Sequence, residues 1–254
     1  MNRKLNTKVK KFFVILYRNN RDFFDMKIAI IAAMSKELDL ILSQLDNYTQ
    51  SILGDTTVYY GNEGEHSLLI SQCGIGKVNS ALRTLAIINQ FKPELVINTG
   101  VAGGVDASMA IGSVLVAEKV AYHDVWCGPG TEYGRADGCP LFFTPLSEGL
   151  NIMKSIANDS DLDIRFGLLC SGDKFISTPE EVAEIKSHFP AALGCDMESA
   201  SIAQTCYLNN IPFMIIRVMS DMPGGGENIA EYNNFWNDAP ARTFLSLSYL
   251  LSKL

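Results

Sequence analysis

The sequence predicts one three-layer α/β domain, in which helices flank a central mixed β-sheet. Two observations support this fold class. From Met26 onward, short apolar runs of strand length alternate with segments of helical periodicity. The 254 residues are also 47% hydrophobic and 19% charged, so the chain can bury one large core. We therefore expect a single domain over 26–254, preceded by a short extension.

The first half of this domain opens with a buried strand, KIAIIAA, and an amphipathic helix. Leu38, Ile41, Leu42 and Leu45 share one face of that helix, which is the spacing of a core-facing stripe. The pattern predicts, in order, a strand at 27–33, a helix from 35 to about 45, a hairpin of 57–61 and 67–73, a helix from CGIGK to residue 90, and a strand that ends in a glycine loop at 100–104.

The second half continues the alternation of strands and helices. Thr178, Pro179 and Glu181 form a capping box with proline at the first helical position, so a helix starts there. The other predicted elements are one or two strands in 113–124, a Gly-rich loop at 125–139, a helix at 145–157, a strand at 165–173, a turn into a helix from 194, a buried strand at 211–220 and a final helix from about 240 to 251.

Acidic residues stand at both ends of the last buried helix-strand unit. Asp196 and Glu198 fall at a predicted helix N-terminus, where the dipole and free N–H groups favour negative charge. Asp221 follows the carboxyl end of the next strand, where ligands bind in open α/β sheets. We expect one cleft lined by the small or polar residues at strand ends, namely Ala33, Gly100, Ser171 and Ser220.

The charge distribution excludes several function classes. Residues 1–25 carry seven Lys or Arg against two Asp or Glu, whereas the rest of the chain carries fourteen against twenty-six. The acidic folded part argues against nucleic acid as a partner. No run of eighteen apolar residues exists, so we predict no membrane span. The basic segment 1–25 is expected to be either a poorly ordered extension or a helix for a membrane surface or partner.

The sequence predicts neither a metal nor a cofactor. The six cysteines lack CxxC spacing, and the three histidines lie far apart without HxxxH or HExxH patterns. Several cysteines fall in apolar runs, so we expect reduced, buried thiols. The stretches CGIGKVNS and GVAGGV match neither the GxxxxGK(S/T) nor the GxGxxG pattern, so triphosphate or dinucleotide binding is not indicated.

Seven motifs in a fixed order give the chain a family resemblance. They are IIAAMSKE (30–37), SQCGIGKVNSA (71–81), INTGVAGG (97–104), AYHD (121–124), CSGDKFIS (170–177), DMESASIA (196–203) and RVMSD (217–221). Through them the chain from Met26 onward resembles the 5′-methylthioadenosine/S-adenosylhomocysteine nucleosidases of the nucleoside phosphorylase superfamily. The resemblance implies a nucleoside phosphorylase-like fold. It also implies hydrolysis of the N-glycosidic bond of these nucleosides, through an oxocarbenium-like transition state, to adenine and a 5′-thio-substituted ribose.

The resemblance implies four catalytic residues in this chain. Asp221 would donate a proton to N7 of adenine, and Glu37 would act as general base for the attacking water. Glu198 would accept both ribose hydroxyls, and Arg217 would orient Glu37 and the water.

The same motifs imply how the nucleoside is bound. Phe175 would stack on adenine, the backbone of Ile176 would read its Watson–Crick edge, and Met197 would pack against the sugar. The full set of implied substrate-binding residues is Met34, Ile75, Ala102, Gly103, Phe175, Ile176, Met197 and Ser220, of which the last would position Asp221.

Three departures from the family pattern concern the sugar side of the site. Asp196 stands where Glu is common, and Val101 stands where some members have Ser. The loop 125–139 also differs, with Asp137 where proline occurs. In the family this loop reaches the neighbouring subunit's pocket, which implies a homodimer with loop 125–139 at its interface. The resemblance further implies a cytoplasmic enzyme of methionine salvage.

Two alternatives to hydrolysis remain open at this point. A phosphate-dependent methylthioadenosine or purine nucleoside phosphorylase would place arginines around the anion. This chain instead has Asn98 and Thr99 before the glycine stretch. A non-catalytic nucleoside-binding protein could also use the fold. The joint presence of Glu37, Glu198 and Asp221 favours hydrolysis over both.

Overall fold

The computed structural model describes residues 25–225, 227–238 and 245–254. These residues contain nine strands, which are β1 (Lys27–Ala32), β2 (Tyr48–Leu53), β3 (Thr56–Glu63), β4 (His66–Gln72), β5 (Leu95–Gly104), β6 (Val114–Tyr122), β7 (Ile164–Ser171), β8 (Ala192–Asp196) and β9 (Phe213–Asp221). All nine belong to one mixed sheet with the order β2-β3-β4-β1-β5-β8-β7-β6-β9. The predicted α/β class with a central mixed sheet is confirmed.

The sheet closes on itself at one end. Strand β9 pairs with β6 and also, in parallel, with β5, so that β5, β8, β7, β6 and β9 form a ring. Strands β4, β1, β5 and β9 run in the same direction through their parallel pairings. Their carboxyl ends therefore meet at one edge of the sheet, which is where α/β proteins build their sites.

Seven helices lie in the described residues. They are α1 (Ser35–Leu42), α2 (Lys77–Phe91), α3 (Ser147–Asp159), α4 (Pro179–His188), α5 (Ser199–Asn209), α6 (Asn228–Asp238) and α7 (Leu245–Leu251). Helix α4 begins at the predicted capping box, where the Glu181 N–H donates to the Thr178 hydroxyl. None of these helices is long and apolar enough to cross a membrane.

Apolar side chains cover both faces of the sheet. Strand β1 has period-2 geometry, so Ala29 and Ile31 pack into one buried cluster while Ile28 and Ile30 pack into the opposite one. A strand that is covered on both faces reads as a continuous apolar run, which explains why KIAIIA was recognisable in the sequence.

Two sequence predictions about the second half of the sheet are wrong. Residues 100–104 do not form a glycine loop but are the end of β5, because this segment pairs in parallel with β9 and then, at Gly103 and Gly104, with β8. The segment before α5 is strand β8 rather than a turn, since it pairs in parallel with β7. Asp221 consequently ends strand β9 instead of following it, and Asp196 ends strand β8 instead of standing at a helix N-terminus.

Other differences concern element ends. Helix α1 stops at Leu42, three residues before the predicted end. Strand β2 and helix α6 were not predicted; β2 is an edge strand whose residues are almost all exposed, so it carries no apolar alternation. The predicted final helix is seen from Leu245, and its expected start near residue 240 lies outside the described residues. The predicted extension 1–25 also lies outside them, apart from Asp25.

Candidate active site

A pocket opens at the edge where the parallel strands end. Its wall is formed by strands β5, β8 and β9, by helices α1 and α6, and by the chain segments that follow β1, β4 and β7. The lining residues are Ala33, Met34, Glu37, Ile75, Val101, Ala102, Gly103, Lys174, Phe175, Ile176, Cys195, Asp196, Met197, Glu198, Ser220, Asp221, Pro223 and Tyr232. Of the four strand ends expected to share a cleft, those at Ala33 and Ser220 line this pocket.

Glu37 is held by backbone N–H groups on both carboxylate oxygens. It occupies the first turn of α1, so its side chain reaches back to the chain that leaves β1, where the N–H groups of Ala33 and Met34 donate to Oε2 at 2.8 and 2.9 Å. The Val101 N–H of β5 donates to Oε1 at 2.8 Å. Burial raises the pKa of Glu37, while the Arg217 charge and these N–H donors oppose the rise.

Gly100 lets strand β5 pass directly beneath the Glu37 carboxylate. A Cβ at this position would overlap Oε1 of Glu37 and would lie 2.9 Å from Nη1 of Arg217. Glycine is therefore required here by close approach of side chains and not by backbone conformation.

Arg217 lies behind the pocket wall and organises a buried polar network. Its side chain is 1% exposed, its Nε donates to Oδ2 of Asp196 at 2.8 Å, and its Nη2 donates to Asn98 at 2.5 Å and to Ser199 at 2.9 Å. Asp196 also accepts the hydroxyl of Ser171 at 2.5 Å. Although burial disfavours its charge, the carboxylates of Asp196, Glu37 and Glu198 raise the pKa of Arg217.

The side chains of Arg217 and Glu37 interact only through their charges. No hydrogen bond links the two side chains in the described part of the chain, and Nη1, the guanidinium nitrogen nearest Gly100, has no partner there. The orienting role predicted for Arg217 would therefore act through this unpaired nitrogen and its charge.

Glu198 stands at the N-cap of α5 and faces the pocket. Its Oε1 accepts the N–H of Gly76 at 2.9 Å, from the loop between β4 and α2. Burial and then the neighbouring charge of Asp196 raise the pKa of Glu198 to about 7, against the opposing effects of Arg217 and the Gly76 N–H. This carboxyl group can thus be charged or neutral near neutral pH.

Asp221, the last residue of β9, is bonded differently from the two glutamates. The Ser220 hydroxyl donates to its Oδ1 at 2.7 Å, and Asn228 supplies a further side-chain hydrogen bond. Burial raises the pKa of Asp221 to about 6, and no cation is among the groups that lower it. Asp221 is therefore suited to hold a proton at a pH where an exposed carboxylate would not.

All the sequence-predicted substrate-binding residues line this pocket, whereas Arg217 does not. Phe175 is half exposed at the mouth and meets Tyr232 edge-on, with ring centroids 5.8 Å apart. Tyr232 also donates its hydroxyl to the Met34 sulfur at 3.3 Å. The sequence did not identify Tyr232, Lys174, Cys195 or Pro223 as lining residues. Tyr232 was missed because helix α6 was not predicted.

Within the described residues, no group of three or more His, Cys, Asp or Glu side chains could hold a metal ion. Cys195, the one cysteine that lines the pocket in the described residues, is a buried free thiol whose pKa burial raises well above its ordinary value, and burial likewise raises the pKa of Cys73, Cys170 and Cys206. Such thiols do not act as nucleophiles or metal ligands at neutral pH. The ionisable chemistry of the pocket therefore belongs to its carboxyl groups.

Comparison with known proteins adds family membership to this geometry. The phosphorylase superfamily matches residues 27–251. A 5′-methylthioadenosine/S-adenosylhomocysteine nucleosidase of Staphylococcus aureus is 35% identical over 228 residues, which cover 89% of this chain and 100% of the relative. The chain belongs to this nucleosidase family.

Two solved structures of nucleosidases share the fold. The S-adenosylhomocysteine nucleosidase of Streptococcus pyogenes, in complex with 5-methylthiotubericidin, has a TM-score of 0.87 and 34% identity and covers 92% of this chain and 99% of its own. The Streptococcus pneumoniae nucleosidase with the transition-state inhibitor MT-ImmA has a TM-score of 0.84 and 35% identity, covering 89% and 98%.

The close approach at Gly100 generates a prediction about stability. Gly100→Ala should lower the free energy of unfolding by about 1–3 kcal/mol, the usual cost of an inserted methyl group in a packed region. Urea denaturation of the four proteins of a double-mutant cycle with Glu37→Ala would measure it. The cost should shrink in the Glu37→Ala background, because the overlapping carboxylate is gone. Additive costs would contradict the proposed overlap.

Proposed function

We propose that this protein hydrolyses the N-glycosidic bond of 5′-methylthioadenosine and S-adenosylhomocysteine, releasing adenine and the 5′-thio-substituted ribose. The observation that carries the proposal is the trio of Glu37, Glu198 and Asp221, which line one pocket but are bonded in three different ways. The names of the family relatives support the choice of nucleosides. We propose no cofactor.

Departure of adenine requires a proton, because the adenine anion is a poor leaving group. Asp221 is our proposed donor to N7, since burial raises its pKa to about 6. Ser220 would hold the carboxyl group in place through its hydrogen bond to Oδ1.

Attack by water requires a base that is fixed and ionised. We propose Glu37 for this role, because the N–H groups of Ala33, Met34 and Val101 stabilise and orient its carboxylate. The unpaired Nη1 of Arg217 lies on the same side of Gly100 and would help to hold the water.

The ribose becomes cationic as the bond to adenine breaks. A carboxylate that accepts both ribose hydroxyls stabilises that charge, and Glu198 is our proposed acceptor. With Oε1 bonded to Gly76, it keeps lone pairs on both oxygens for the sugar. Met197 and Ile75 would pack on the sugar side, while Phe175 and Ile176 would contact the base.

The charge of the pocket favours water over phosphate as the nucleophile. Four carboxyl side chains line it, and Lys174 is the one lysine or arginine among its lining residues in the described chain. Lys174 is mostly exposed and is paired with Glu181 at 2.7 Å. A phosphate anion would meet repulsion here without an arginine cage to offset it.

The decisive experiment is adenine release from 5′-methylthioadenosine in phosphate-free buffer, repeated with phosphate added, with identification of the sugar. We expect equal rates and free methylthioribose in both buffers. Release that depends on phosphate and yields a sugar 1-phosphate would identify a phosphorylase instead. A tight complex with intact nucleoside and no release would indicate a binding protein.

Asp221→Asn should lower kcat by about 10² or more, the usual scale for loss of a general acid, with a smaller change in KM. The reaction needs a protonated Asp221 and an ionised Glu198, and burial raises the pKa of Asp221 to about 6 and that of Glu198 to about 7. The kcat/KM of the wild type should therefore reach a maximum at a pH of about 6 to 7 and fall along an alkaline limb at higher pH. That limb should be absent from the pH profile of Asp221→Asn. The exposed Asp161→Asn serves as control. An unchanged limb in Asp221→Asn would assign it to another group.

We also propose a homodimer as the working form, located in the cytoplasm and serving methionine salvage. Helix α2 exposes Val78, Leu82 and Leu85 at helical spacing, and the neighbouring α5 exposes Tyr207 and Leu208. Unpaired apolar residues in such density are typical of a protein interface. Ile75, at the start of α2, would link this face to the pocket, and loop 125–139 would complete it with exposed Trp126.

Leu82→Glu should convert the dimer into monomers, because a charge would be buried on the proposed interface. Light scattering coupled to gel filtration would measure the mass. Ile52→Glu is a matched control, since both side chains are 64% exposed but Ile52 lies on edge strand β2. A wild-type monomer, or equal dissociation by both variants, would contradict this interface.

A further inference from the structure

The N–H of Gly76 is the one hydrogen-bond donor to the Glu198 carboxylate within the described residues. The two residues are 122 positions apart, so the bond depends on the placement of the loop between β4 and α2. Side chains of α2 hold two carbonyl groups of this loop, since the Asn79 amide donates to Ile75 and the Ser80 hydroxyl donates to Gly76. Gly74 and Gly76 both have positive φ, at 83° and 95°, and Ile75 between them is half exposed.

Three side chains outside the pocket hold the end of that loop. Asp173 accepts the N–H of Lys77 at 2.7 Å, immediately after Gly76. Asp124 accepts the Lys77 ammonium group at 2.8 Å and the N–H of Asp173 at 2.8 Å. Lys77, Asp124 and Asp173, here called the Lys77 cluster, thus join the start of α2 to the ends of β6 and β7.

The Lys77 cluster fits tightly around the loop. A Cβ on Gly76 would lie 3.1 Å from Oδ1 of Asp173, so the carboxylate packs against the Gly76 backbone as well as bonding its neighbour. The chain from Asp173 then continues to Phe175 and Ile176, which line the same pocket as Glu198.

Stability alone does not account for this arrangement. The side chains of Lys77, Asp124 and Asp173 are 24%, 28% and 47% exposed. Ion pairs with such solvent contact contribute about 0–1 kcal/mol. A misplacement of about 1 Å in an active site, by contrast, can cost about a hundredfold in rate. The larger effect of the cluster is therefore expected on the geometry of the pocket.

We propose that Asp173, supported by Lys77 and Asp124, is a positioning residue that holds the Gly76 N–H on Glu198 and thereby keeps Glu198 aligned with the ribose. The inference rests on the proposed function of Glu198 as the ribose acceptor. Asp173 does not line the pocket and contacts no reacting atom, so it acts through Gly76.

Loss of the Gly76 N–H would also change the charge of Glu198. That N–H lowers the pKa of Glu198 against burial, so without it the carboxyl group would bind its proton more tightly. The protonated form cannot stabilise a sugar cation. The other titratable groups that interact with Glu198 in the pocket are Asp196, Arg217, Glu37, Cys73 and Tyr232, none of which belongs to the Lys77 cluster.

Two variants of one residue separate the hydrogen bond from the charge. Asp173→Ala removes the acceptor of the Lys77 N–H, whereas Asp173→Asn keeps an oxygen that can accept it. Asp106→Ala is a matched control, because Asp106 also accepts a backbone N–H, from Ser108, and pairs with a lysine, Lys186, outside the pocket. Thermal unfolding of all three variants confirms that each is folded.

Calorimetric titration with the nucleoside analogue 5-methylthiotubericidin and with adenine gives the first readout. We expect Asp173→Ala to bind the nucleoside about tenfold more weakly but adenine within about twofold of wild type, because only the nucleoside carries a ribose. Asp173→Asn should recover most of the loss, and Asp106→Ala should bind both ligands normally. Equal loss for both ligands, no loss, or the same loss in Asp106→Ala would overturn the proposal.

The pH dependence of adenine release gives a second readout. In the Asp221→Asn background, which lacks the Asp221 limb, adding Asp173→Ala should move the acid limb of kcat/KM to higher pH, and adding Asp173→Asn should return it toward the parent. An unmoved limb on adding Asp173→Ala would overturn the positioning role. If wild-type protein released no adenine, the proposed hydrolysis would fail, while the two titrations would still decide whether Asp173 supports ribose binding.

Discussion

The buried pair of Arg217 and Asp196 is the interaction on which the site depends. The pocket collects four carboxyl groups, and all four belong to residues that are buried. Burying that much negative charge without a cation would be prohibitive. Arg217 meets this need from the middle of β9, a strand whose backbone is fixed by pairing with both β5 and β6. Removing either partner of such a pair typically costs about 3–5 kcal/mol.

The common direction of four strands is the second feature that stabilises the buried carboxylates. Strands β4, β1, β5 and β9 run parallel, so their carboxyl ends lie at one edge of the sheet. The chain segments that follow β1 and β4, and the C-terminal half of β5, present free N–H groups at this edge. Glu37 takes three of these groups and Glu198 takes one. The fold thus provides neutral donors where a second arginine would fill the space that the nucleoside needs.

The sequence predicted most of the residues that line this pocket but not the hydrogen bonds that connect them. Strand β9 was recognisable because buried parallel strands read as apolar runs, and an arginine within such a run needs a buried partner. The roles of the residues in DMES and RVMSD came from the family resemblance. The bond between Gly76 and Glu198 spans 122 positions, so it carries no local signal. Tyr232 lies on α6, whose sequence NIAEYNNFWND has only a weak apolar stripe. The continuation of β5 through Gly103 is set by its pairing with β8 and β9.

Glu37, Glu198 and Asp221 have different hydrogen-bond partners, and these differences bear on the role proposed for each carboxyl group. Glu37 has three N–H donors and a nearby guanidinium that favour its anion, although burial outweighs them and raises its pKa. Asp221 has a hydroxyl and an amide as its partners and no cation, and burial raises its pKa to about 6. The proposed roles of base and acid match the place of each residue in the fold: Glu37 reaches back to the backbone N–H groups after β1 and in β5, whereas Asp221 ends β9 beside a serine.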